Sequence, residues 1–162
     1  MIKSMEKKST HDIYMEEALK EANIAFLNGE VPVGAIIVKD DKIVGCGHNQ
    51  RESKNDISSH AEIEAIKEAE KTIGRWSLDG CSIYVTIEPC LMCSGAIKQA
   101  KIGSLFYGAN DKTMGAIKSH YHVYDDPSIE HNPLVYSGIN EEECASLMRR
   151  FFAEKRKKDG NL

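Results

Sequence analysis

Across residues 12–27 the apolar positions Met15, Ala18, Leu19, Ala22, Ala25 and Phe26 recur at the i, i+3, i+4 spacing of a helix that buries one face. Asn28-Gly29 ends it, because both residues tolerate the left-handed backbone of a helix terminus. Residues 33–38 form a strand-length apolar run. Asp40-Asp41 marks a turn, and residues 42–47 read as a second strand, which makes a hairpin. Helical periodicity returns over 60–73 through Ile63, Ala65, Ile66 and Ala69, with Gly74 as the stop. Residues 81–87 are a β-branched strand. Pro89 suits the first turn of a helix, where its missing N–H costs little, and Leu91, Ala96, Ile97 and Ala100 continue that helix. A further strand over 102–107 ends at Gly108.

The order strand, helix, strand, helix, strand implies parallel strands joined by covering helices. The expected class is therefore α/β: a single mixed sheet, an antiparallel hairpin plus parallel strands, sandwiched by helices. From 109 to 132 the pattern weakens around Gly115, Asp125-Asp126-Pro127 and Asn132-Pro133, and a mostly irregular loop with room for one short helix is expected. Asn140 with Glu143 three residues on is a capping-box arrangement. Ala145, Leu147, Met148, Phe151 and Phe152 then support a helix over 141–158. No internal repeat or linker interrupts the 162 residues, so one domain spanning 1–162 is expected.

Composition agrees with a folded globular chain: 41% hydrophobic and 28% charged residues exclude the disordered and collagen-like classes. The apolar runs fall far short of the ~20 residues that span a bilayer. Lys3, Lys7 and Lys8 are followed by no apolar segment of a secretory leader, so the cytoplasm is the expected compartment. There, five cysteines point to metal binding or catalysis before disulfides. The net charge of −4 argues against a protein that coats nucleic acid through global charge. Near the carboxyl end, however, Arg149, Arg150, Lys155, Arg156, Lys157 and Lys158 face only Glu154. A polyanion could dock on such a helix, though basic residues also favour the negative pole of a helix for no other reason.

Two segments carry candidate chemistry, His60-Ala61-Glu62 and Pro89-Cys90-Leu91-Met92-Cys93, each at a helix start. Strand-to-helix turns of parallel units gather at one sheet edge, so the two can converge. Zinc prefers thiolate and imidazole, Cys-x-x-Cys lets two sulfurs grip one ion, and helix N-termini favour thiolates. His60, Cys90 and Cys93 make three ligands and leave a fourth position for water, the mark of a catalytic and not a closed zinc site. On a regular helix His60 and Glu62 would diverge by about 200°. In a first turn both can reach past the helix end, which suits Glu62 to proton transfer.

Two blander readings compete. Cys90 and Cys93 as a redox pair would leave His60 and Glu62 without a role, and no flanking tryptophan or glycine supports it. A closed structural zinc site would need a fourth ligand from Cys46, Cys81, Cys144 or His48, none of which has the paired spacing of such sites. Cys46, Cys81 and Cys144 read as small buried residues.

The His-x-Glu and Pro-Cys-x-x-Cys pair is the signature of zinc-dependent nucleobase deaminases. The chain further resembles bacterial tRNA-specific adenosine deaminases, of the cytidine deaminase-like superfamily. The resemblance lies in Gly29-Glu30-Val31-Pro32-Val33-Gly34-Ala35, Gly47-His48-Asn49, His60-Ala61-Glu62-Ile63, the stretch from Ile83 to Ala96, and Tyr107-Gly108-Ala109 before Asp111. It implies a cytoplasmic homodimer with one zinc per subunit that converts adenosine at the tRNA wobble position to inosine. It also implies that Asn49 hydrogen-bonds the flipped base, that Val31 and Ile87 wall the pocket, that Asp111 meets the anticodon loop, and that Arg149, Arg150 and Lys155 touch RNA. Residues 112–122 depart from the family's Gly- and Ser-containing stretch. His120 and His122 there are spaced to bind metal or simply to be solvated. A deaminase of free bases or nucleosides, and a non-catalytic zinc-stabilised RNA-binding module, remain the competing functions.

Overall fold

A computed structural model describes residues 8–160. Lys3 and Lys7 lie outside them. Helix α1, Thr10–Leu27, begins slightly before the periodic residues because Ser9 caps it. Ser9 Oγ accepts from the Asp12 N–H at 3.2 Å while the Asp12 carboxylate accepts from the Ser9 N–H at 3.3 Å. Strands β1, Gly34–Lys39, and β2, Lys42–His48, form the expected hairpin. Asp40 and Asp41 both take positive φ at its tip, 49° and 61°, the backbone that matches a tight hairpin to strand twist.

A short helix α2, Arg51–Lys54, precedes α3, Ala61–Ile73, which Gly74 closes at φ 84°. Then come β3, Ser82–Ile87, α4, Leu91–Gln99, and β4, Ser104–Ala109. The weakly patterned stretch after β4 is a chain of turns without a helix, and it leads into β5, Leu134–Ser137. Helix α5, Glu141–Gly160, ends the fold. Its expected capping box is not what starts it: Asn140 takes φ 50° and turns its side-chain N–H towards α1, donating to the Asp12 carbonyl at 3.3 Å. Among the described residues, no helix is long and apolar enough to cross a membrane.

The sheet order is β2-β1-β3-β4-β5, antiparallel at β2-β1-β3 and parallel at β3-β4-β5. Successive strand residues serve opposite faces. Ala35, Ile37, Ile83, Val85, Leu105 and Tyr107 pack against Ala61, Ala65 and Ala69 of α3 and Ile97 of α4. Ile36, Val38, Tyr84 and Phe106 pack on the other side against Met15 and Ala18 of α1 and Cys144 of α5. With both faces covered, the central strands bury nearly every side chain, and this is why they read as continuous apolar runs.

Close approach of helix to sheet explains two glycines. A Cβ on Gly34 would meet the Ala18 carbonyl, and one on Gly47 the Ala61 carbonyl, so α1 and α3 can lie against bare backbone only because these positions lack side chains. One sheet edge thereby collects the start of β1 and the ends of β2, β3 and β4, since Gly34 pairs with His48 and Ile87 with Ala109.

Candidate active site

At that edge the first turns of α3 and α4 meet. His60 and Cys90 are the N-cap residues of the two helices, both with extended backbone (φ −80°, ψ 156° and φ −74°, ψ 176°) and neither spending its side chain on capping. Both side chains are therefore free to leave the helix axis. His60 Nδ1 lies 3.6 Å from Cys90 Sγ and 3.5 Å from Cys93 Sγ, and the three ligand atoms fall within 4.8 Å of one another. Tetrahedral zinc with bonds of about 2.0 and 2.3 Å places nitrogen and sulfur about 3.5 Å apart, so the donors fit that ion in type and spacing.

Glu62 opens onto the same cleft as His60 and Cys90. The 200° divergence of a regular helix does not apply, because His60 stands outside α3 with extended backbone and only Glu62 is helical. Glu62 is 4% exposed. Burial pushes its carboxyl up to about 7, with the Cys90 charge adding to the effect. A carboxyl poised near neutrality both takes and gives a proton at little cost. The hydrogen bond from Cys93 holds the Cys90 thiol down at about 4 against burial, and His60 reinforces it. Cys93 is raised as the donor in that bond and by burial, and the bond to Cys90 raises His60. One thiol of the pair is thus already poised as the thiolate a metal takes.

The cleft, about 200 Å³, is closed by Val31 ahead of β1, Asn49 after β2, Ile87 at the end of β3 and Asp111 after β4. Asn49 is held from both ends of its amide: Nδ2 donates to the Val31 carbonyl at 3.2 Å and Oδ1 accepts from the Arg51 N–H at 3.1 Å. Its second amide hydrogen has no partner among these bonds. Asp111 Oδ1 accepts from the Thr113 and Met114 N–H groups at 3.0 and 3.1 Å, folding its own loop.

A sequence model described as MafB19-like deaminase matches residues 9–156. The chain belongs to this deaminase family. It is 43% identical over 145 residues to the tRNA-specific adenosine deaminase of Streptococcus pyogenes serotype M1, covering 90% of this chain and 85% of that one. To the tRNA-specific adenosine deaminase of Bacillus subtilis (strain 168) it is 40% identical over 147 residues, 91% of each. Among solved structures, a tRNA:A34 deaminase studied for A-to-I editing at the wobble position superposes with a TM-score of 0.80 at 41% identity. The match covers 83% of this chain and 98% of that one. The guanine deaminase of Bacillus subtilis gives 0.61 at 34% identity, over 78% and 83%.

His60, Cys90 and Cys93 are the one group of His, Cys and acidic residues that stands close enough to hold a metal ion among the described residues. Cys46, Cys81, Cys144 and His48 take no part in it; His48 Nδ1 pairs instead with Glu21 at 2.7 Å. His120 and His122 are exposed and apart from the cluster, His120 Nε2 meeting the Lys112 carbonyl at 2.6 Å. The three basic residues of α5 stand outside the cleft. Arg149 pairs with Glu142 at 2.5 Å, Arg150 covers the Phe26 ring at 5.4 Å, and Lys155 flanks a shallow hollow with Phe26 and Phe151. Met148 is the residue through which α5 reaches the cleft.

Six lining residues had no site role from sequence: Val33, Arg51, Ala61, Glu88, Met114 and Met148. Glu88 did carry a signal, a charged residue directly after the apolar strand 81–87. It is 3% exposed, and its carboxylate accepts from Asp111, Ile117, Lys118 and Ser119. Burial alone would raise its carboxyl, yet the hydrogen bonds from Ser119, Lys118 and Asp111 outweigh it and hold the group below the ordinary range. Glu30, 2% exposed, plays the matching part across the cleft. It accepts from the Glu52 and Ser53 N–H groups at 3.2 and 2.7 Å and so fixes the start of α2.

Proposed function

We propose that this chain hydrolyses adenosine at the wobble position of tRNA to inosine, releasing ammonia, as one deaminase domain over 1–162 that holds one zinc through His60, Cys90 and Cys93. The observation that carries the reading is the buried Glu62 carboxyl opening on the same cleft as three donors spaced for zinc. Zinc bound there would supply Lewis acidity towards water at neutral pH. Glu62 takes the proton that water gives up as its oxygen adds to C6 of the purine, and delivers it to N1. It then carries the second water proton to the exocyclic nitrogen, which leaves as ammonia while the C6 carbonyl forms. Burial raises the Glu62 carboxyl above the usual carboxylate range, which favours its taking and returning a proton.

The remaining residues orient the base. Val31 and Ile87 present apolar walls to its faces, and Asn49 has one amide hydrogen free for a ring nitrogen. Asp111 stands where the anticodon loop would pass, and Arg149, Arg150 and Lys155 offer charge to the phosphates. Support for RNA as substrate comes from the 43% and 40% identical relatives named for tRNA. A cytoplasmic homodimer completes the proposal.

A free-guanine deaminase is the second reading, favoured by the 34% identical guanine deaminase with the same fold. Incubation of the purified protein with an adenosine-wobble anticodon stem-loop, with free nucleosides and with free bases separates the two. Inosine and ammonia are expected from the stem-loop. Ammonia from a free base or nucleoside alone overturns the proposal.

A further inference from the structure

The stretch that departs from the family pattern in sequence, residues 112–122, begins beside the cleft, yet the loop over 111–119 is tightly tied, and to a single side chain. Glu88 Oε1 accepts from the Asp111 N–H at 3.1 Å and the Ser119 hydroxyl at 2.5 Å. Its Oε2 accepts from the N–H groups of Ile117, Lys118 and Ser119 at 3.1, 2.9 and 3.0 Å. A carboxylate has about four lone-pair sites, so five donors saturate it and leave no capacity for a proton or a metal. Glu88 is therefore not a second proton carrier. Its cage is also closed sterically, since a Cβ on Gly115 would strike the carboxylate carbon.

The chain position of Glu88 gives this cage a purpose. One residue before Pro89-Cys90, its own N–H donates to the Ala109 carbonyl at 2.8 Å, and the Ala116 N–H returns to the Pro89 carbonyl at 2.9 Å. The loop is thus anchored to the same turn that delivers Cys90. Asp111 and Met114, on its outer side, line the cleft.

We infer that Glu88 is a positioning residue for substrate: it sets the wall formed by Asp111 and Met114 at a fixed distance from the metal ligands. The inference deepens the proposed tRNA reading and rests on it. The loop needs no particular composition for this, because one buried acceptor shapes whatever backbone N–H groups the loop presents.

Glu88→Gln keeps shape and size, but either amide orientation turns an N–H towards at least one backbone N–H. With the anticodon stem-loop as substrate, KM should rise about tenfold while kcat changes less than about threefold, since hydrogen bonds to a charged acceptor are strong and the chemical groups are untouched. Metal content per chain should stay the same. Amide hydrogen exchange should quicken at Asp111, Ile117, Lys118 and Ser119 but not in α3. Ser119→Ala, which removes one donor and no charge, should shift KM the same way by about two- to threefold. It supplies the test if Glu88→Gln does not fold. An unchanged KM in the folded variants, a fall confined to kcat, or loss of metal overturns the inference while wild-type activity stands. Wild-type protein without activity on the stem-loop overturns the substrate reading and this inference together.

Discussion

The two sides of the cleft are built on different principles. The side that would hold a metal comes from two helix N-termini, where each candidate ligand is placed by backbone that the sheet already fixes: His60 and Cys90 cap α3 and α4, and Cys93 follows within one turn. The substrate side comes from irregular segments with no ladder of their own, and two buried carboxylates hold them in place. Glu30 holds the first turn of α2, which brings Arg51 and Asn49 to the cleft, and Glu88 holds the 111–119 loop. The candidate metal donors thus ride on secondary structure and the facing segments on polar staples. A loop can then change its sequence while its path, set by N–H groups common to nearly all residues, is retained.

Substitutions on the two sides should separate in kind as well as size. Replacing Cys90 and Cys93 together by Ser should abolish activity and remove zinc, as read by elemental analysis. Zinc retained at one per chain in that variant would break the metal side of the comparison. Glu62→Gln comes next, with a loss of about 10²- to 10⁴-fold in kcat, the usual contribution of a positioned acid–base group. Zinc content and stem-loop binding should both persist. Full deaminase activity in this variant would remove Glu62 from the chemistry, whereas RNA binding without deamination in wild type and variant alike would leave only a zinc-stabilised RNA-binding module.

On the substrate side, Glu30→Gln should raise KM several-fold with kcat nearly kept, and should cost about 1 kcal/mol in urea unfolding because two part-buried N–H groups of α2 lose their charged acceptor. A loss confined to kcat would mean that the staple serves the chemistry after all. The smallest effect belongs to α5. Arg149, Arg150 and Lys155 replaced together by Ala should weaken RNA binding and flatten its salt dependence by about 0.7 in log–log slope for each phosphate no longer neutralised. The change should be modest, because Arg149 must first leave Glu142 and Arg150 the Phe26 ring. An unchanged salt slope would assign these residues to helix structure alone.

Local pattern was enough for most of the fold. Helices with one apolar face and strands buried on both faces announce themselves by period, and α1, α3, α5, the hairpin, β3 and β4 all stand within a few residues of where periodicity puts them. β5 escaped because it is a four-residue edge strand, half exposed, whose neighbour supplies most of its order. The helix α2 escaped because its start is stabilised by Glu30, 22 residues before Glu52, through bonds no local window contains. The capping box at Asn140 failed because its φ of 50° lies outside the extended region an N-cap needs, and its side-chain N–H donates to a tertiary partner, the Asp12 carbonyl.

The sequence by itself pointed to His60, Cys90, Cys93 and Glu62 as one group, since residue type and short spacing are what zinc chemistry demands, and the fold brings the three candidate donors together at the cleft that Glu62 lines. Only the tertiary structure decided how His60 and Glu62 share one cleft, by giving His60 an extended backbone outside α3. It alone also added Arg51, Glu88, Met114 and Met148 to the wall that the resemblance had given as Val31, Asn49, Ile87 and Asp111. That wall depends on hydrogen bonds between segments 23 and 31 residues apart, from Glu30 to Ser53 and from Glu88 to Ser119. Such pairings carry no period and no spacing rule. They come into being when the sheet edge has formed and its loops need an acceptor for N–H groups that water can no longer reach.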